Sequence, residues 1–175
     1  AVCEGYARAF KLMCDEMHIP CIVVSGISKN SLGHKETHAW NIVRDKNTNY
    51  HVDVTWDSCL YKHTDIPLYY NVSDMFISNN HFWDKTNWPS CNKSGKIENR
   101  MITVISFKSF SDSLQRMISL KKDSVIFKFK KKFTSTKEIM TIINKILQEN
   151  AITVVTSFSA YYIPELDCAI INIDY

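Results

Sequence analysis

Three short runs, CIVVSG (21–26), THAWNIV (37–43) and YHVDVTWD (50–57), crowd the stretch between residues 21 and 57. Each is brief, rich in β-branched and aromatic residues, and bounded by Gly or polar residues, which is the pattern of a strand. Only RDKNTN (44–49) separates the second run from the third. So short a connection suits an antiparallel hairpin and is too short for a parallel crossover. In the third run Tyr50, Val52, Val54 and Trp56 would face one way, and His51, Asp53, Thr55 and Asp57 the other. A strand face bearing carboxylates is either solvated or part of a site.

The segment before these runs predicts a helix. Tyr6, Phe10, Met13 and Met17 recur at spacings of 4, 3 and 4 from Cys3 onward, one stripe of a helix that ends at His18-Ile19-Pro20. The polar ISKNSLGHKE (27–36) reads as a loop. Residues 58–100 look irregular, with a short helix near SDMFISN, and NWPSCNKSGK (87–96) reads as a linker. Beyond it comes a separate alternation of strand (MITVISF), helix (SDSLQRMISL), strand (SVIFKFK), helix (STKEIMTIINKILQEN) and two further strands. Ser135 with Glu138 three residues on forms a capping-box pattern. The expected fold class is α+β: a helix packed on an antiparallel sheet over 1–95, and a second small α+β domain over 101–175.

The chain of 175 residues, 45% hydrophobic and 22% charged, has the composition of an ordinary globular protein. No apolar run nears the roughly 18 residues that span a bilayer. Ala1-Val2-Cys3 lacks the basic and apolar regions of a signal peptide. A start without Met is read as a processed chain or a fragment, so a secreted or cell-surface location is expected only if a signal segment lies upstream. Residues 1–99 carry 10 Lys/Arg against 11 Asp/Glu, and 100–175 carry 11 against 7. That shift marks a boundary near 95–100 and is too small to imply nucleic-acid binding. The six cysteines lack the regular spacing of a disulfide scaffold, and their pairing is left open.

Cys3 opens the predicted helix, where free N–H groups and the macrodipole favour negative charge such as a thiolate. Thiol catalysis needs a base within reach and a third group to orient that base. A hairpin register pairing position 38 with position 53 would set His38 beside Asp53. These residues, in VCEGYARAFKLMCDEMHIPCIVVSG, HAWNIV and YHVDVTWD, resemble the core of the transglutaminase-like superfamily of papain-like cysteine acyl-transfer enzymes. The short form resembles bacterial members, and the similarity extends through YYNVSDMFISNNHFWD to about residue 86.

The resemblance implies Cys3 as nucleophile, His38 as base and Asp53 as orienting acid, acting on peptide bonds or glutamine amides of a protein or peptide substrate. Trp40, Tyr6 and Asp57 are the expected substrate-binding residues, with helix or core packing the plainer role for the two aromatics. Family members usually carry a helical segment before the nucleophile that helps bind the oxyanion; here only the Cys3 backbone N–H is a candidate donor. No calcium site and no other cofactor is identified. The alternative is an inactive fold used as a protein- or glycan-binding module.

Other features have plainer readings. Cys14, His18 and Cys21 supply only three potential zinc ligands and read as buried thiols around a helix–strand junction. His34 and His51 are expected to be solvated, and His81 structural. In KFKKK (128–132), Phe127 and Phe129 alternate with lysines, as in an amphipathic strand with a solvated lysine face, and lysines guard edge strands.

Overall fold

The computed structural model describes residues 2–130, 133 and 135–175. The chain divides into two compact units, Ala1–Asn99 and Arg100–Tyr175.

The first unit opens with α1 (Val2–Glu16), followed by β1 (Cys21–Lys29), β2 (Lys35–Asp45) and β3 (Thr48–Val52). Next come α2 (Val54–Leu60), β4 (Tyr70–Val72), α3 (Asp74–Ile77) and β5 (His81–Phe82), and α4 (Lys96–Arg100) follows. The five strands form an antiparallel sheet in the order β4-β3-β2-β1-β5. The hairpin of β2 and β3 turns on Lys46 and Asn47, with Lys46 in the left-handed region at φ 54°. Its register pairs Asn41 with Val52. Continued by one residue, it brings Asp53 level with Trp40 and puts His38 two residues away on the same face.

Strand pleating divides the sheet into two faces. Cys21, Val43 and Val52 lie with Cys14 of α1 in one buried cluster, to which Phe10, Tyr50 and Val54 add partial cover. The other face carries Trp40, His51 and His81, which are all buried.

Three expectations are corrected here. The third strand stops at Val52, and residues 54–60 form α2 with Asp53 as N-cap. An Asp side chain that satisfies the first free N–H groups makes a helix start outcompete a continued strand, so Trp56 and Asp57 are helical. The stretch read as loop over 27–36 is half strand, because β1 runs to Lys29 and pairs with β2 down to Lys35, which leaves 30–34 as the connection. The stretch read as linker is bound into the first unit. Cys91 is buried, its N–H donates to Asp74 Oδ2 at 3.0 Å, and its carbonyl accepts the Asp74 N–H at 2.8 Å.

The second unit holds β6 (Ile102–Val104), α5 (Phe107–Ser119), β7 (Ser124–Phe129), α6 (Thr136–Glu149), β8 (Ser157–Ile163) and β9 (Cys168–Asp174). Its sheet order is β6-β7-β9-β8, with only β6 and β7 parallel. Phe110, Leu114 and Ile118 of α5 and Ile139, Ile143 and Ile146 of α6 pack on Val125, Phe127, Phe129 and Ile171. Both helices thus cover one face. Ser135 caps α6 by accepting the Glu138 N–H at 3.3 Å. β7 is an interior strand, and Lys128 donates to the Leu166 carbonyl instead of lying free in water; Lys130 is exposed. Lys131 and Lys132 of the expected lysine face lie outside the described residues.

Gly26 stands opposite His38 in the β1–β2 pair. A Cβ there would collide with the Phe82 carbonyl oxygen and sit 2.8 Å from the Trp40 ring. Gly26→Ala therefore forces β5 or the indole away from β1. It is expected to destabilise the fold by about 2 kcal/mol, in the range of overpacked sites, measurable as a lower midpoint in urea unfolding.

Candidate active site

Asp53 sits where β3 ends and α2 begins, and both of its oxygens are engaged. Oδ1 accepts the Trp56 N–H at 3.1 Å as the helix cap. Oδ2 meets His38 Nε2 at 2.6 Å and His81 Nε2 at 2.8 Å. The Asp53 side chain and both imidazoles are almost wholly buried. Burial works to raise the Asp53 carboxyl, but the hydrogen bonds from His38 and His81 outweigh it, and the carboxyl is held below its ordinary range. Asp53 is therefore ionised at neutral pH and can only accept hydrogen bonds. The proton of a neutral His38 must then lie on Nε2, leaving the Nδ1 lone pair free to take a proton.

Aromatic walls hold that imidazole. The Trp40 ring stacks on His38 with centroids 6.0 Å apart and planes 19° apart, and Trp56 meets it edge-on at 6.4 Å. Trp40 is itself fixed, because its Nε1–H donates to His51 Nδ1 at 2.9 Å. His51 Nε2 meets Asp74 Oδ1 at 2.8 Å. An indole only donates, so His51 Nδ1 is unprotonated and Nε2 carries the hydrogen given to Asp74. The expectation of a solvated His51 fails: the ring is fully buried, and burial lowers its pKa to about 4 despite the Asp74 carboxylate. The sequence offered no sign that strand alternation would turn His51 toward Trp40 instead of water. His34 is exposed, as expected.

Among the described residues, two trios bring potential metal-ligating atoms within 4.8 Å of one another: His38–Asp53–His81 and His51–Asp74–Cys91. The second does not suit a cation. A metal on His51 Nε2 would require a proton on Nδ1, where the Trp40 N–H already points. In the first, hydrogen bonds of 2.6 and 2.8 Å to a single carboxylate oxygen account for the approach of both rings. Of the residues weighed from sequence as zinc ligands, Cys14 and Cys21 are buried while His18 is exposed at the end of α1.

Cys3 lies half-buried in the first turn of α1. α1 packs on β1, β2 and α2. Asn41 of β2 donates to the carbonyl of Ala7, one turn beyond Cys3, at 3.0 Å. No hydrogen bond links Cys3 to His38 in this structure, and such pairs are commonly loose until substrate binds. Tyr6 is 41% exposed on α1, whereas Trp40 is 1% exposed and backs the His38 ring. Asp57 accepts the Tyr69 N–H at 2.9 Å and borders an open hollow with Val54, Tyr61 and Ile66. His81, expected to be structural, is buried, and β5 pairs beside β1 and directs its ring at Asp53, a contact that NNHFWD does not signal.

Burial, assisted by the nearby Asp53 charge, lifts the Asp57 carboxyl to about 7. In the unfolded chain it ionises near 3.8, so between those values unfolding releases a proton and rising pH removes stability. The loss approaches about 4 kcal/mol above pH 7, at roughly 1.4 kcal/mol per unit. His51 acts oppositely, costing stability as pH falls from about 6.5 toward its folded pKa near 4. Asp57→Asn keeps an acceptor for Tyr69 and removes the titration. The variant is expected to gain on the wild type in urea-unfolding free energy between pH 5 and pH 8.

Residues 1–54 match the family model of the transglutaminase-like superfamily. The match takes in α1, β1, β2, β3 and Asp53; it ends short of the expected similarity to residue 86 and leaves out His81. No curated protein matches the chain. The segment that supplies Cys3, His38 and Asp53 is thus the one that matches the transglutaminase-like superfamily model.

Proposed function

We propose that the first unit is a cysteine-dependent acyl-transfer enzyme acting on peptide bonds or glutamine side-chain amides. The observation that carries this reading is the buried 2.6 Å contact between His38 Nε2 and Asp53 Oδ2, inside the segment that matches the superfamily. Its chemistry follows from the proton positions. His38 Nδ1, freed by the Asp53 bond, takes the Cys3 proton. The Cys3 sulfur attacks the substrate carbonyl, and the oxyanion formed is met by the Cys3 backbone N–H. Collapse expels an amine that takes its proton from His38, leaving a thioester on Cys3. Water or a primary amine, deprotonated by His38, then attacks the thioester and restores the thiol. Asp53 stays ionised throughout and balances the imidazolium charge.

Whether water or an amine resolves the thioester decides between peptidase or deamidase activity and crosslinking. Asp57, Tyr6 and the hollow beside α2 are the residues through which acceptor and donor would be held, with Trp40 supporting from behind His38.

Turnover of casein, with and without a primary amine, is the direct test. Cys3→Ala is expected to lose about 10³-fold or more of kcat, and Asp53→Asn roughly 10³–10⁴-fold through the wrong His38 tautomer. Amine incorporation without cleavage would select transamidation. Equal turnover by wild type and Cys3→Ala would contradict the enzyme reading and favour a binding module.

A further inference from the structure

We propose that His81 is a positioning residue of this site. Its Nε2–H holds the Asp53 carboxylate so that Oδ2 keeps facing His38 through the catalytic cycle. The proposal rests on the acyl-transfer reading and adds a fourth side chain that lies outside the superfamily match.

The geometry carries it. His81 approaches the same oxygen as His38, at 2.8 Å, and its ring is caged. Trp40 lies edge-on at 5.0 Å, Trp56 at 5.2 Å, Tyr69 at 5.7 Å and His38 at 5.3 Å, centroid to centroid. Its backbone is fixed as well. β5 pairs His81 with Ser28 of β1, and the Asn80 carbonyl accepts the Lys29 N–H at 2.8 Å. His38 must change charge during turnover, and its bond to Asp53 changes strength with it. A second donor that neither moves nor reacts keeps the carboxylate in place while that happens.

The charge state matters. Facing a carboxylate, Nε2 must carry a proton, while Nδ1 meets Asn80 Oδ1 at 2.7 Å. Burial favours a neutral ring, and the His81 pKa is lowered despite Asp53. With the Asn80 amide turned end for end, its NH₂ meets Nδ1 and its oxygen accepts from the Tyr69 hydroxyl, which donates as readily as it accepts, and a neutral ring is then fully bonded. Asn80 and that hydroxyl lie 2.6 Å apart. A neutral His81 gives Asp53 a donor without cancelling its charge, so the carboxylate remains the counter-ion of the His38 imidazolium.

The test compares His81→Phe and His81→Leu, which both lose the donor to Asp53, with His81→Gln, whose amide N–H can replace it. The readouts are the ¹³C titration midpoint of the Asp53 carboxyl in the full chain without substrate, and the pH profile of kcat. With either donor-lacking variant that folds, the Asp53 midpoint is expected to rise by about one unit or more and the acid limb to move to higher pH. kcat is expected to fall roughly 10- to 100-fold, as for a misplaced catalytic group, with KM little changed. His81→Gln is expected to restore most of both. A folded His81→Phe or His81→Leu with the wild-type Asp53 midpoint would overturn the proposal. Absence of Cys3-dependent turnover in the wild type would instead overturn the acyl-transfer reading, and the substrate-free titration would still decide the role of His81.

Discussion

A single buried carboxylate organises the first unit. Moving an ionised Asp53 out of water costs several kcal/mol. The structure offsets that cost with three donors: the Trp56 N–H, His38 and His81. Charge-assisted bonds contribute roughly 1.5–3 kcal/mol each, enough to balance the burial. The three donors come from α2, β2 and β5, so the charge that orients the imidazole also ties together elements far apart in sequence. His38 and His81, 15 and 28 positions from Asp53 in sequence, join it in one cluster because Asp53 ends a strand and starts a helix at the same residue.

A second buried chain supports the first. Trp40, His51 and Asp74 run in series from the back of His38 to the N–H of Cys91. Each partner's chemistry allows one proton arrangement, because the indole donates, the carboxylate accepts and the neutral imidazole between them does both. His38 is therefore held in its plane by a ring that is itself fixed by hydrogen bonds. Gly26 completes the arrangement by leaving room for the Trp40 ring and β5 against β1.

How much of this the sequence disclosed depended on how local each signal was. α1, β7, α6 and β9 were legible because periodicity and caps act within one element. The pairing of His38 with Asp53 was legible as a juxtaposition, though the register is shifted: Asn41 meets Val52 around a turn at Lys46 and Asn47. The start of α2 was missed, because YHVDVTWD alternates like a strand and the capping role of Asp53 shows only once its Oδ1 has a backbone N–H to accept. His51 was misread, and the contact of His81 with Asp53 was not foreseen, for a common reason. Their surroundings are supplied by β5 and by Asp74 and Trp40, partners that no short-range pattern brings together.

The central claim is that Asp53 holds His38 with its proton on Nε2 and its Nδ1 lone pair free. Long-range ¹H–¹⁵N correlation of the histidine rings at pH 7 reads this directly. For the neutral ring the account predicts a protonated Nε2 for His38 whose hydrogen is shifted far downfield, together with an unprotonated Nδ1. A His38 ring bearing its proton on Nδ1, or exchanging freely between tautomers, would contradict it.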